Sequence, residues 1–355
     1  MYPRDLRLLV VMVILEVLSI ATLRGISIDL AYNQLFFALV GVLAFFFVSS
    51  FSWQQWQKSR WVWYGGVILL LLLTLIFGRV TKGSMSWLQI GHYRLQPSEL
   101  LKPALLLLLA SQFRLISLRD WKSLLSFAVL ACFPLLLIML QPDLGTALTV
   151  SAGIGSLFLL LNPPKKLIAA LSVLGFVGIL FAWVFIFKPY QKDRLRTFVD
   201  PAADTQGSGY NAQQAMIAVG SGGFMGQGIG QGKQSHLRFL PERQTDFLFA
   251  TYAEERGFVG SAALILLYAT MFWIIGQYAQ QTSDRYALHF ILAGAVMLLI
   301  QTFVNIGMNI GINPVTGIPL PLFSLGGSSI LATSILLGLM ESCRRSQQPV
   351  KKRFT

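Results

Sequence analysis

Long apolar runs separated by short polar connectors constrain this chain more than any other feature. A transmembrane helix needs roughly 20 mostly apolar residues, and 355 residues leave room for about ten such helices. Only 12% of the residues are charged, whereas soluble domains carry about 25%. The sequence therefore predicts an all-α, polytopic membrane protein of about ten transmembrane helices, built as a single domain over residues 1–355. The runs cover residues 7–23, 35–51, 61–78, 98–113, 123–140, 144–162, 167–187, 246–276, 287–311 and 321–341.

Basic residues predict the orientation of the chain. With ten helices both termini lie on one side, and the segments on that side carry fifteen Lys and Arg residues against four in the short loops opposite. Because cytoplasmic loops are enriched in Lys and Arg, we expect both termini to be cytoplasmic. The net charge of +13 lies largely in such connectors, which argues against a nucleic-acid partner. Cys132 and Cys343 show no metal-site spacing, and no disulfide is expected.

One outer connector is much longer than the others. Residues 188–245 form a predicted extracytoplasmic loop that is rich in glycine and basic residues and contains two short apolar stretches. Loops of this length in compact proteins are usually functional or disordered. The apolar stretches lead us to expect that this loop folds over the outer ends of the helices.

Two short motifs place ionisable residues near the predicted outer ends of helices. Glu99 and Lys102 are spaced i, i+3 on one helix face. They form either a charged pair at the mouth of a cavity, able to touch a phosphate or a metal, or an ion pair that only neutralises two membrane charges. Asp143 stands in a short turn before a helix, either as a cap favoured by the helix dipole or as an anion that positions basic groups of a site.

Asp246 ends the long loop and opens the eighth predicted helix. Thr245 is the expected N-cap of that helix. A carboxylate at this place is kept ionised by the helix N-terminus and by a nearby Arg243 or Arg194. It can accept a proton from a sugar hydroxyl, and a capping role is the alternative.

Two further segments are polar without a clear chemical role. Glu254, Glu255 and Arg256 lie deeper in the eighth helix, and we interpret them mainly as a structural charge cluster or a partner contact. Residues 314–329, which include Ser324, are uncharged and rich in Pro and Gly. Such an irregular segment is tolerated at membrane depth only where it lines a cavity or is buried in protein. Close helix packing is the alternative explanation.

Seven short motifs follow one another along the chain, at residues 96–99, 141–146, 207–210, 218–223, 232–235, 240–247 and 317–321. In this order they resemble the motifs of the shape, elongation, division and sporulation (SEDS) family, peptidoglycan glycosyltransferases of the bacterial inner membrane. The resemblance covers nearly the whole chain. Gln141 and Arg243 resemble the elongation branch, RodA, rather than the division branch, FtsW. Two positions depart from the family pattern: Ser86 replaces a usual Arg, and Gln244 replaces a common His.

The resemblance implies a reaction and a set of residues. SEDS proteins polymerise lipid II outside the cytoplasmic membrane into β-1,4-linked glycan, with inversion, using the chain on undecaprenyl pyrophosphate as donor. Asp246 matches the essential acidic residue of the family and is the expected base. Glu99 is expected to hold a divalent cation, Mg²⁺ or Mn²⁺. The implied partner is a class B penicillin-binding protein. The expected substrate contacts are Lys102, Arg194, Arg196, Lys233, Arg243, Asp143 and Ser324.

Other functions stay open at this point. A lipid II flippase needs a cavity that reaches both leaflets, whereas the polar motifs here lie mostly on the predicted outer side. A scaffold without activity of its own is a third possibility, and a division polymerase of the FtsW type is the alternative within the family.

Overall fold

A helix occupies the place of each of the ten apolar runs. The computed structural model describes residues 3–81, 84–91, 93–112, 120–185, 187–199, 207–237 and 239–346. The long helices are α1 (Arg7–Ile26), α2 (Ile28–Ser50), α3 (Trp53–Phe77), α4 (Pro97–Gln112), α5 (Trp121–Leu140), α6 (Leu144–Leu160), α7 (Lys165–Phe185), α11 (Leu248–Gln281), α12 (Arg285–Asn309) and α13 (Gly327–Arg345). Within the described residues the long connectors add α8 (Pro189–Val199), α9 (Ser208–Ser221), α10 (Lys233–His236) and the strands β1 (Arg79–Thr81), β2 (Ser84–Ile90) and β3 (Tyr93–Leu95).

Seven helices in the described part of the chain, α1, α2, α3, α5, α7, α11 and α12, are long and apolar enough to cross a membrane. The chain is therefore a mostly helical, polytopic membrane protein, as the apolar runs predict. Helix α4 lies at the centre of the bundle, since thirteen of its sixteen residues are buried. From Pro103 to Ala110 the helix is apolar on every side, as is expected of a helix in such a place. The total number of crossings and their orientation stay predictions.

The first and last described residues of the chain lie together at the C-terminal end of α13. The backbone N–H of Asp5 donates to Glu341 Oε1 at 2.9 Å, and Arg344 Nη2 donates to the carbonyl of Pro3 at 2.6 Å. Arg7 pairs with Asp5 at 2.6 Å, and its guanidinium holds the pKa of that carboxyl below the usual value. This contact agrees with both termini sharing one side. Five of the basic residues used for orientation (Arg114, Arg119, Lys351, Lys352 and Arg353), together with Lys82 on the other side, lie outside the described residues.

The connector between α3 and α4 contains a small sheet that the apolar pattern does not predict. Its three strands are antiparallel in the order β1–β2–β3, with Arg79 opposite Trp87 and Gln89 opposite Arg94. The strands are only three to seven residues long. The fold is otherwise helical, and this sheet stands at the end of the bundle where α4 begins.

The long loop folds over the bundle, as its apolar stretches predict, and it is anchored where α11 breaks. Gly257 interrupts α11 with φ +64° and ψ −160°, a backbone conformation that is essentially restricted to glycine. The break frees backbone groups, and the loop pairs with them: Gln227 N–H donates to Glu254 O at 3.0 Å, and Phe258 N–H donates to Gly223 O at 2.9 Å. Helices α9 and α10 pack against α11 beside this junction.

Buried carboxylates complete the anchor. Glu254 is fully buried and accepts hydrogen bonds from the backbone N–H groups of Gln234 and Ser235 at 2.8 and 3.0 Å. Glu255 Oε1 accepts the N–H of Gly230 at 2.9 Å. These contacts give both residues the structural role that their depth in the helix indicates.

Candidate active site

The connector between α12 and α13 runs without regular structure through the buried part of the bundle. Unpaired carbonyls are costly at that depth, and polar side chains from three helices meet them. The donors are Asn305 Nδ2 to Ile318 O at 2.7 Å, Gln301 Nε2 to Pro319 O at 2.9 Å, Tyr268 Oη to Pro321 O at 2.6 Å and Ser19 Oγ to Phe323 O. The expectation that this segment is buried in protein is therefore met. Helix α13 begins only at Gly327 rather than near residue 321, because residues 321–326 belong to the connector.

Ser324 joins this connector to the turn that carries Asp246. Its hydroxyl donates to Thr245 O at 2.6 Å and accepts the N–H of Leu320 at 2.9 Å. The N–H of Leu325 also donates to Gln244 O at 3.0 Å. Ser324 is 2% exposed, so its observed contacts are internal, and its predicted contact with substrate stays a prediction.

Asp246 lies in a turn just before α11 rather than in the first turn of the helix. The helix begins at Leu248, and the side chain of its N-cap residue, Phe247, forms no capping hydrogen bond. The prediction of Thr245 as N-cap is wrong, because its hydroxyl donates to Glu242 Oε2 at 3.2 Å instead. A turn replaces the expected first helical turn, and it leaves the half-buried Asp246 facing a cleft.

The cleft has a volume of about 370 Å³ and opens at the end of the bundle opposite the chain termini. It is lined by residues of β2 and β3, by the start of α6 and of α13, by the Asp246 turn and by the connector before α13. Helix α13 runs from the cleft toward Pro3 and Asp5 over 19 residues, which is about 28 Å. Of the predicted site residues, Asp246, Arg194 and Asp143 line this cleft.

Asp246 and Arg194 face the same point above Gly317. A methyl group built on Gly317 would lie 3.7 Å from Asp246 Oδ2 and 3.8 Å from Arg194 Nη1. Arg194 Nη1 also donates to the carbonyl of Thr316 at 3.3 Å, which ties α8 to the connector. A carboxylate and a guanidinium thus both border one open position in the cleft. This arrangement can take up a proton and balance negative charge within the same space.

The sequence matches a known family over almost its entire length. Residues 5–349 match the family of cell cycle proteins FtsW, RodA and SpoVE. The chain belongs to this family. The peptidoglycan glycosyltransferase MrdB of Escherichia coli K12 is 39% identical over 303 residues, which cover 82% of this chain and 80% of MrdB.

Solved structures of the FtsW/RodA/SpoVE family share the fold. The rod shape determining protein RodA of Thermus thermophilus, in a single-residue variant, is 30% identical with a TM-score of 0.73, covering 98% of this chain and all of that chain (100%). A chain from a peptidoglycan synthase complex that coordinates polymerization and crosslinking has a TM-score of 0.84 at 31% identity, covering 97% and 98% of the two chains. The resemblance inferred from the seven motifs is thereby confirmed.

Asp143 is the N-cap of α6 in this family member, and it also lines the cleft. Its Oδ1 accepts the N–H of Thr146 at 3.0 Å. Its Oδ2 accepts from Gln96 Nε2 and Thr146 Oγ1, both at 2.8 Å, and from Ser98 Oγ at 3.3 Å. Of the two roles left open by the sequence, capping is therefore observed. Contact with substrate stays a prediction for this residue.

Glu99 and Lys102 lie behind the cleft, not at its mouth. Their side chains are 3% and 5% exposed and form an ion pair of 2.7 Å. Lys102 Nζ also donates to Gln301 Oε1 at 3.1 Å, and Gln301 supports the connector at Pro319. Neither residue lines the described cleft, and Gln301 connects the pair to the connector before α13.

Glu99 is a poor fit to a divalent cation in this arrangement. Its Oε2 has no hydrogen-bond partner in the described part of the chain, but its other oxygen already pairs with an ammonium group. Mg²⁺ is usually held by one or two carboxylates with substrate phosphates and several waters. No group of three or more acidic, His or Cys side chains converges elsewhere among the described residues. A metal near Glu99 stays a prediction.

Three other predicted substrate contacts lie away from the described lining of the cleft. The Arg196 side chain is 69% exposed and pairs with Asp193 at 3.6 Å. Lys233 is exposed at the start of α10. Arg243 Nη1 donates to the carbonyl of His236 at 3.3 Å. These placements follow from the fold of the long loop, whose path the sequence does not reveal.

Further residues at or beside the cleft lie in the sheet and in α12, and of these the sequence analysis singles out only Ser86. Arg94, on β3, lines the cleft with an exposed side chain. Ser86 lines the same cleft, and its hydroxyl donates to Gln141 O at 3.3 Å, so the cation that the family usually has there is replaced by a short hydroxyl. Asn305 and Asn309 both donate to the carbonyl of Asp246 at 3.1 Å. In the sequence these two residues stand out as amide side chains, four residues apart, within an apolar run.

Proposed function

We propose that this chain polymerises lipid II in the cleft beside Asp246, at the outer face of the bacterial cytoplasmic membrane. As a member of the FtsW/RodA/SpoVE family with close similarity to MrdB, it is a multi-pass peptidoglycan glycosyltransferase of the inner membrane. One observation carries the assignment of the site: Asp246 Oδ2 and Arg194 Nη1 face a common open position in the cleft.

Asp246 serves as the general base in this mechanism. The 4-hydroxyl of the acceptor GlcNAc attacks the anomeric carbon of the donor sugar, and its proton passes to the Asp246 carboxylate. The C1–O4 bond forms while the bond from C1 to the phosphate oxygen breaks, so undecaprenyl pyrophosphate leaves with the electron pair. Inversion requires the base on the face opposite the leaving group, as in inverting glycosidases. One carboxylate suffices because a pyrophosphate leaves without protonation by a general acid.

Cations in the cleft stabilise the departing pyrophosphate. Arg194 is fixed by its hydrogen bond to Thr316 O, and Arg94 lines the same cleft from the sheet. Guanidinium groups bind phosphate oxygens in bidentate geometry, and charge stabilisation of this kind contributes strongly to catalysis. Lys102 lies behind the cleft and acts indirectly, because it donates a hydrogen bond to Gln301, which in turn holds the connector at Pro319. No step depends on a metal ion, because the surroundings of Glu99 fit one poorly.

Similarity to MrdB and RodA favours a role in cell elongation. A division role of the FtsW type is the alternative within the family. Depletion in the host bacterium distinguishes them, because loss of elongation gives rounded cells and loss of division gives filaments. We also propose a class B penicillin-binding protein as the partner that crosslinks the strands, since a structural relative functions in a complex for polymerization and crosslinking.

Purified protein in detergent with lipid II as the only substrate tests the proposal. The wild type should form glycan strands, and Asp246→Asn should lose polymer by at least about 100-fold, the range that general-base catalysis supplies. Asp193→Asn is the matched control, because it removes an exposed carboxylate outside the cleft. A parallel reaction in EDTA tests the metal, and unchanged activity would remove Glu99 as a metal ligand.

The polymerisation reaction, together with a growth test of the Asp246→Asn variant, separates the other functions. A flippase moves lipid II across a membrane and makes no polymer in detergent. A scaffold supports growth with Asp246→Asn, whereas the enzyme does not. Polymer formation by the Asp246→Asn variant at the wild-type rate would remove Asp246 as the base.

A further inference from the structure

Three buried amides form a polar ladder along α12. Gln301, Asn305 and Asn309 are spaced four residues apart, so they share one face of the helix. They are 1%, 0% and 0% exposed. Burying an amide in an apolar helix costs free energy unless its hydrogen bonds are satisfied. Their partners therefore indicate what the three residues are for.

The side chains of the ladder form hydrogen bonds with main-chain groups of the Asp246 turn, of the start of α11 and of the connector before α13. Asn309 Nδ2 donates to Asp246 O at 3.1 Å and to Asn305 O at 2.8 Å, while its Oδ1 accepts the N–H of Ala250 at 3.0 Å. Asn305 Nδ2 donates to the same Asp246 carbonyl at 3.1 Å and to Ile318 O at 2.7 Å. Both hydrogens of each amide nitrogen are thus used. The carbonyl of Asp246 is held by two donors at once.

Gln301, the first residue of the ladder along α12, contacts the buried Glu99–Lys102 ion pair. Gln301 accepts from Lys102 Nζ at 3.1 Å and donates to Pro319 O at 2.9 Å. The ladder therefore links Lys102, the connector that carries Gly317, and the main chain of Asp246 in one set of hydrogen bonds. The start of α11 has no side-chain cap of its own, and Asn309 Oδ1 supplies that acceptor from the neighbouring helix.

We propose that Asn305 and Asn309 are positioning residues that fix the Asp246 carboxylate by holding its main-chain carbonyl. This inference rests on the proposed function, because it concerns the geometry of the same base. Asp246 lies on a turn outside the helix, and the two amides constrain the main chain from which its carboxylate projects. Displacement of a catalytic group by about 1 Å costs on the order of 100-fold in rate.

The test measures kcat and KM for lipid II polymerisation by the full chain in detergent. Asn309→Asp keeps the volume and the acceptor for Ala250 N–H but loses the donor to Asp246. Asn305→Leu removes the other donor. Both variants should lower kcat by about 10- to 100-fold and leave KM within about twofold, because neither residue lines the described cleft. Thr302→Val is the matched control, since within the described residues this buried hydroxyl on α12 bonds only to Leu298 O of its own helix, at 2.8 Å.

Parallel measurements separate failure of the ladder from failure of the base. If Asp246→Asn keeps polymer, the base assignment fails and the positioning role fails with it. If Asp246→Asn is inactive but both ladder variants keep the wild-type kcat, only the ladder proposal is overturned. A rise in KM with unchanged kcat overturns it as well. If neither ladder variant gives folded protein while Thr302→Val does, the ladder serves folding and the positioning role is rejected.

Discussion

A methyl group at Gly317 would contact both charged side chains of the cleft, so a substitution at this position tests the arrangement. Its φ of +74° lies in the left-handed region, where a side chain costs about 1–2 kcal/mol. The added methyl would occupy cleft space that is in contact with both Asp246 Oδ2 and Arg194 Nη1. We expect Gly317→Ala to lower kcat/KM for polymerisation by about tenfold or more, because the reacting atoms must pass through that space.

Gly91 provides the control for this substitution. Its φ is +62°, and a methyl built there would meet no described atom within 4 Å. Gly91→Ala should therefore carry the same backbone cost, seen as a lower Tm, and keep the wild-type kcat/KM. Equal activity losses for the two variants would show that backbone strain, not the occupied space, is responsible.

Glu99 and Lys102 are predicted to matter as a pair. Removing one partner of a buried ion pair leaves an uncompensated charge, at a cost of about 3–5 kcal/mol, whereas replacing both with apolar groups is often nearly neutral. Glu99→Gln should lower the Tm strongly, and the double replacement Glu99→Leu with Lys102→Met should recover much of that loss. Thermal unfolding in detergent measures both. If Glu99→Gln unfolds at the wild-type temperature, the pair does not contribute to stability as the geometry indicates.

At the scale of elements, the sequence predicts the helices better than the connectors. Each apolar run marks a long helix, because the bilayer demands length and apolarity that are visible locally. The sheet and α8–α10 give no such signal, since they are short and their stability comes from contacts with distant segments. The same reason explains the site: Asp246 and Arg194 are close only because α8 and the connector meet. The motif order identified Asp246, but it did not reveal that Arg94 lines the cleft or that Lys102 is buried.

The break in α11 gives a prediction at this scale. A side chain at Gly257 would clash with the backbone nitrogen of Gly226 and would place its Cβ 2.7 Å from the carbonyl oxygen of Phe224. The φ and ψ of this residue add backbone strain. Gly257→Ala should destabilise the protein by about 2 kcal/mol or more and release the loop, seen as faster proteolysis within residues 223–235. A methyl group built on Gly276 in the same helix would meet no described atom within 4 Å. Gly276→Ala should therefore raise the free energy of unfolding by about 0.5–1 kcal/mol.

At the scale of the whole molecule, one end of the bundle holds the cleft and the other holds the first and last described residues. The ladder on α12, the connector and the Asp246 turn are fixed to one another by hydrogen bonds. The opposite end is closed by contacts of Asp5 and Pro3 with the end of α13. In the proposed reaction the substrate is lipid-linked and the polymer forms outside the membrane, so that reaction requires the cleft to face the outer leaflet. The distribution of basic residues predicts this orientation independently.

Cysteine labelling in intact cells tests that orientation. In a chain with Cys132→Ser and Cys343→Ala, which leaves no cysteine, one cysteine is introduced at a time. Arg196→Cys lies on α8 at a position that is 69% exposed, near the cleft end of the bundle, and Gln54→Cys lies at the exposed start of α3, near the termini. A membrane-impermeant maleimide should label Arg196→Cys in intact spheroplasts, and Gln54→Cys only after permeabilisation. The reverse pattern would place Asp246 in the cytoplasm, where a polymer of the outer wall cannot be made.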